Sequence, residues 1–142
     1  MGFSHDWSII SVGNYGVRIL NWADTKKLTN IPIHQKEIRD MMFSPSQTDL
    51  LLTVGMDNKA FLTNIHTTTQ AVSFSTDSPI WSCAFNCVDP NKLYLGMGNG
   101  QIAVYDLRKP KEVVENYLFP NDRTPVGRIQ FIPPSYQHRY SL

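Results

Sequence analysis

Cys83 and Cys87 stand four residues apart in SCAFNC, and a thiol pair at that spacing is the first place to look for metal ligation or redox exchange. Neither chemistry has its other parts. A zinc site wants further ligands at set spacings, and no histidine neighbours the pair. His5, His34, His66 and His138 are scattered along the chain instead. At strand spacing the two cysteines point to one face, where free thiols pack as small apolar groups. The glycine-rich GMGNG at residues 96–100 has the content of a phosphate-cradling loop, but it separates two strand-like segments rather than opening a helix, so it predicts a hairpin turn. Asp122 and Glu115 lack a spacing that argues for paired acid and base work. Neither G-x-S-x-G, G-x-x-x-x-G-K-[ST] nor H-E-x-x-H occurs. With no catalytic set in these residues, the economical reading is binding.

The elements that would position a binding surface repeat. In NGQIAVYDLRKP, from Asn99, Ile102 and Val104 alternate with Ala103 and Tyr105, the period of a strand. Sliding the chain along itself by 42 residues sets Phe43 on Phe85, Leu51 on Leu93, Asp57 on Asn99, Asn58 on Gly100, Leu62 on Val104 and Ile65 on Leu107. The same shift backwards sets Tyr15 and Gly16 on Asp57 and Asn58. Two copies therefore read as four strands each: IRDMMF, DLLLTVG, KAFLTNI and QAVSFS, then IWSCAF, KLYLGM, QIAVYDL and EVVENY. Four short strands per repeat of about 40 to 45 residues is the pattern of a β-propeller blade.

The predicted class is thus all-β, a partial propeller of two full blades and parts of two flanking blades. Residues 9–34 supply the end of one blade, 38–75 and 80–118 a blade each, and 124–131 the start of another before Pro133 and Pro134. Seven blades would need on the order of 290 residues, so the 142 present predict a fragment of a longer protein; a complete chain of this length would have to close its circle with a partner. A hydrophobic fraction of 42% with 11% aromatics is enough for a packed core. The formal net charge of +1 carries no footprint for direct nucleic-acid binding. No apolar run approaches the roughly 20 residues of a membrane helix, and the opening MGFSHDWS lacks the basic start and apolar stretch of a secretory signal. These features predict a soluble intracellular protein. Arg123, Arg128 and Arg139, spaced apart and next to Asp122, read as solvated surface.

VYDLR at residues 104–108 resembles the closing element of WD40 repeats, with Tyr105 in the tryptophan position; the preceding copy has Thr63 and Asn64 there. The resemblance implies a hydrogen-bonded set of His, Ser or Thr, Asp and Trp in each blade. The first full copy offers His34, Thr53, Asp57 and Thr63, ending on a side chain too short to complete it; the second offers Thr76, Leu95, Asn99 and Tyr105 and has lost it. HQKEIRDMMFS from His34, the leucine run and MDN turn over residues 49–58, LTNI in place of the usual ending, and PIWSC from Pro79 together resemble the C-terminal propeller of RING-finger and WD-repeat ubiquitin ligases. These act on the single-stranded-DNA-binding protein RPA in replication stress and crosslink repair.

That likeness covers about residues 30–110 and implies a nuclear, substrate-recruiting region in DNA repair. The RING and its zinc would lie elsewhere, since two cysteines cannot build one; no cofactor is expected in this chain. Arg39 and Trp81, one repeat apart and leading into the first strand of their blades, are the candidate partner-binding residues, of the types that dominate interfaces. Against this, Trp81 would serve inter-blade packing and Arg39 an ion pair with Asp40 or another acid. Asp106 and Arg108 partly match the WD-x-R ending by which substrate receptors of cullin-4 ligases dock their adaptor, which is the alternative reading. A protein-interaction scaffold unrelated to ubiquitin is the third.

Overall fold

The computed structural model describes residues 8–13, 15–21 and 28–132; His5, His138, Arg139, Pro133 and Pro134 lie outside them. The described residues form three antiparallel meanders and no helix. The first is β1 (Ser8–Gly13), β2 (Gly16–Asn21) and β3 (Leu28–Pro32). The second is β4 (Ile38–Phe43), β5 (Leu50–Gly55), β6 (Lys59–Asn64) and β7 (Thr69–Ser75). The third is β8 (Ile80–Phe85), β9 (Lys92–Met97), β10 (Gln101–Asp106) and β11 (Lys109–Leu118). This is the all-β, unclosed propeller architecture that the repeat predicts.

Hairpin chemistry sets the registers. Asn58 and Gly100, equivalent by the repeat, both take positive φ, 63° and 90°, the left-handed region that Gly and Asn tolerate. Just before them Asp57 and Asn99 accept from the backbone N–H of Lys59 and Gln101, at 3.2 and 3.1 Å. GMGNG is therefore the β9–β10 turn. A second glycine requirement is steric: a Cβ on Gly16 would stand 2.2 Å from the Ile31 carbonyl oxygen of the paired strand.

The hydrophobic core sits between sheets rather than within one. Val17, Ile31, Ile33, Ile38 and Leu51 form the cluster between the first and second sheets. Leu52, Val54, Leu62, Phe74, Ile80, Leu93, Leu95 and Tyr105 are among those that join the second and third. Because strand side chains alternate, the second sheet carries two apolar faces, with Leu51 in the cluster shared with the first sheet and Leu52 in the one shared with the third. The Phe74 ring of β7 meets the Tyr105 ring of β10 edge to face at 5.2 Å, and the Tyr105 hydroxyl donates to the Ser75 carbonyl at 3.3 Å.

Three details differ from the sequence reading. Cys83 is buried but Cys87 is exposed, because β8 ends at Phe85 and the Asn86 side chain turns the chain by accepting from the N–H groups of Val88 and Asp89. Strand β11 begins at Lys109, three residues before Glu112, and runs on to Leu118; Pro110 is accommodated because β11 is the outer edge of its sheet. Residues 124–131, read as the start of a further blade, are not in a ladder among the described residues. Val126 instead donates to Met97 O at 3.1 Å and accepts from Ser82 Oγ at 2.6 Å.

The second sheet is stitched by a buried polar chain. His34 Nδ1 donates to the Asp57 carboxylate at 2.9 and 3.0 Å, and Nε2 lies 2.9 Å from Thr53 Oγ1. An acceptor-only carboxylate fixes the proton on Nδ1, so in the neutral ring Nε2 accepts from the Thr53 hydroxyl. Thr63, the residue too short for the tryptophan role, has a buried hydroxyl without a hydrogen-bond partner. An unmet buried hydroxyl is costly, and valine keeps nearly the same shape. Thr63→Val is therefore expected to raise unfolding free energy by about 1 kcal/mol, read as a higher urea midpoint of the full chain. A lower midpoint would mean that the hydroxyl is satisfied by water. In the third sheet the corresponding residues share no network: Thr76 Oγ1 donates to Asn58 O and Ser78 O, and Leu95 is buried.

Candidate functional site

Strands β4 and β8 open their sheets and pack side by side, so residues equivalent by the repeat become neighbours. Arg39 and Trp81 are each second in their strand. The Arg39 guanidinium carbon sits 4.2 Å above the Trp81 ring, a cation–π stack across two blades. Its Nη1 stands 3.6 Å from Glu37, not Asp40. The indole rests on Gly98, where a Cβ would come within 3.0 Å of Trp81 Nε1.

Asp40 is spent on backbone. Its Oδ1 accepts from Met41 N at 2.9 Å and its Oδ2 from Cys83 N at 3.1 Å, tying β4 to β8. Burial first, and the Asp40 charge second, push the Cys83 thiol well above its ordinary pKa. It stays protonated, so it is a packing group rather than a nucleophile. Between β4, β8 and residues 127–130 lies a cleft of about 280 Å³ whose wall includes Arg39, Asp40, Cys83 and Arg128.

Asp106 and Arg108 form a separate pair. Strands β8 and β10 both run antiparallel to β9, with Ile80 opposite Met97 and Asp106 opposite Lys92; Asp106 is thus at the end of the blade remote from Trp81. Arg108 Nε and Nη2 donate to the two Asp106 oxygens at 2.9 and 2.7 Å, and Arg108 N to Oδ1 at 2.9 Å. These bonds hold the Asp106 carboxyl down to about 2. The guanidinium fork is occupied by its own aspartate.

Among the described residues no three His, Cys, Asp or Glu side chains converge to hold a metal, so these residues do not fit a zinc centre. Arg128, which the sequence reads as solvated surface along with Arg123 and Arg139, is exposed and stands at the wall of this cleft. Arg123, not Arg128, stands 42 residues beyond Trp81, so the repeat pointed elsewhere.

Four-stranded meanders fanned about neighbouring inner strands, with a Thr–His–Asp chain in one of them, define a segment of a WD40-type β-propeller. Residues 7–142 match the family model described as the E3 ubiquitin-protein ligase RFWD3 WD40 domain, and the chain belongs to that family, a protein-interaction propeller. It is 34% identical over 119 residues to the E3 ubiquitin-protein ligase RFWD3 of Homo sapiens, covering 84% of this chain and 15% of that protein. It is 33% identical over 120 residues to that of Mus musculus, with the same shares. A shorter match, 32% over 76 residues, joins 54% of the chain to 21% of eukaryotic translation initiation factor 3 subunit I of Vanderwaltozyma polyspora. The chain thus spans about 15% of the length of the ligases it matches.

Proposed function

We propose that this chain is part of the substrate-recruiting WD40 region of a RING-type E3 ubiquitin ligase acting in the DNA damage response and repair, in the nucleus, with RPA as the substrate recruited. The observation that carries the reading is the family match across residues 7–142. The RING and its zinc would lie outside these residues, and ubiquitin transfer with them. In this reading residues 38–75 and 80–118 are complete blades, while 9–34 and 124–131 belong to flanking blades whose remaining strands lie outside the described residues.

Arg39 and Trp81 are the partner-contacting residues at one end of the blades. A rigid indole carrying an oriented guanidinium is the kind of anchor that dominates interfaces. Asp106 and Arg108, at the far end, would serve an adaptor in the cullin-4 reading. Their mutual bidentate pair would have to open first, which favours the RING-linked reading. The likeness to an initiation-factor subunit supports the scaffold alternative.

The test is reconstituted ubiquitination of RPA by the full-length protein. RPA modification is expected with the natural sequence and at least about fivefold less with Arg39→Ala and Trp81→Ala combined, the loss expected for two central anchors. Absence of RPA modification by the natural protein would sink the reading. Equal modification by the variant would remove Arg39 and Trp81 from it.

A further inference from the structure

Resting on the reading of Arg39 and Trp81 as partner-contacting residues, we infer that the cleft between β4, β8 and residues 127–130 receives an acidic side chain from an extended peptide of the partner, its carboxylate gripped by Arg39 and Arg128. Both arginines line the cleft. Each guanidinium presents five N–H donors in a fixed fork suited to carboxylate oxygens. Among the described residues neither donates a hydrogen bond: Arg39 has its stack on Trp81 and a loose 3.6 Å approach from exposed Glu37, and Arg128 is exposed with no partner.

The one carboxylate in the wall cannot fill that role. Asp40 is held by the backbone amides of Met41 and Cys83, which fix it between the strands. With Asp40 so held, the Arg39 and Arg128 forks are the cationic groups of the cleft and, among the described residues, neither has a hydrogen-bonded carboxylate. Stacking on Trp81 restricts the Arg39 fork before a ligand arrives, so less freedom is lost when a carboxylate binds. A volume of about 280 Å³ suits one glutamate side chain with its backbone rather than a larger ligand.

The test uses fluorescence anisotropy of the full-length protein with two fluorescein-labelled decapeptides, one alternating Glu with Ala and the other alternating Gln with Ala. The Glu peptide is expected to bind at least about tenfold more tightly, weakening as salt rises. Arg128→Gln, at an exposed position, and Arg39→Gln should each erase most of that preference, while Arg39→Lys should restore only part. Equal affinity for the two peptides, or a Glu preference indifferent to Arg128→Gln, overturns the inference. Its fate separates from that of the ligase reading. RPA modification that depends on Arg39 but is not inhibited by the Glu peptide rejects the acidic cleft and leaves recruitment standing. Arginine-dependent Glu-peptide binding with no RPA modification does the reverse.

Discussion

Phe74→Ala is expected to lower unfolding free energy by about 3–5 kcal/mol, the largest single loss among the substitutions considered. Phe74 is 1% exposed and lies on the outer strand of one sheet against Tyr105 of the next. Truncation removes its buried apolar area and opens a cavity at the junction, and it takes away the edge-to-face ring contact. The neighbours cannot collapse freely, because Tyr105 is also held by its hydroxyl to Ser75 O. Phe74→Leu, which keeps most of the volume, should cost under about 1.5 kcal/mol. Urea unfolding of the full-length chain measures both. A Phe74→Ala midpoint close to that of Phe74→Leu would show that the junction is not packed as described.

Asp57→Ala is expected to cost about 3 kcal/mol. The carboxylate accepts from His34 Nδ1, from Gln35 N at 3.0 Å and from Lys59 N at 3.2 Å. The two amides can turn to water, but the His34 side chain is fully buried, so its ring N–H loses its partner in a place where water does not replace it. Asp57→Asn keeps an oxygen for the ring and should cost about 1 kcal/mol. Denaturation gives the magnitudes, and the downfield Nδ1 proton resonance of His34 gives the cause: it should persist in Asp57→Asn and vanish in Asp57→Ala. A small loss with the resonance retained would disprove the chain of bonds.

The strands were legible because period-two alternation and the 42-residue repeat agree, so Ile38–Phe43 and Ile80–Phe85 stand where two independent signals put them. Limits appeared where one signal was extended beyond its cause. Cys87 was placed by alternation past the end of its strand, and a side-chain cap at Asn86 interrupts that alternation. The start of β11 was hidden by Lys109, Pro110 and Lys111, residues that suit a turn as well as a solvent-facing edge. The pairing of Arg39 with Trp81 was half visible: the repeat made them equivalent, and the fan of blades turns equivalence into contact. That Arg39 stacks on the indole, while Asp40 reaches Cys83 N, depends on side-chain direction, which composition does not carry. Arg128 was read as solvated surface and is exposed; its place at the cleft was hidden because its segment leaves the repeat register.

The two apolar clusters lie at seams between sheets, so no sheet owns a core. Stability is then a property of adjacent pairs, as in a one-dimensional array in which each unit is coupled to its neighbours alone. A lesion such as Phe74→Ala falls on one coupling and leaves the Val17–Ile31–Leu51 seam intact. The consequence is graded cooperativity: damage at one seam frees the units on its far side to open together while those on the near side stay folded, and hydrogen exchange would follow the seams rather than individual strands.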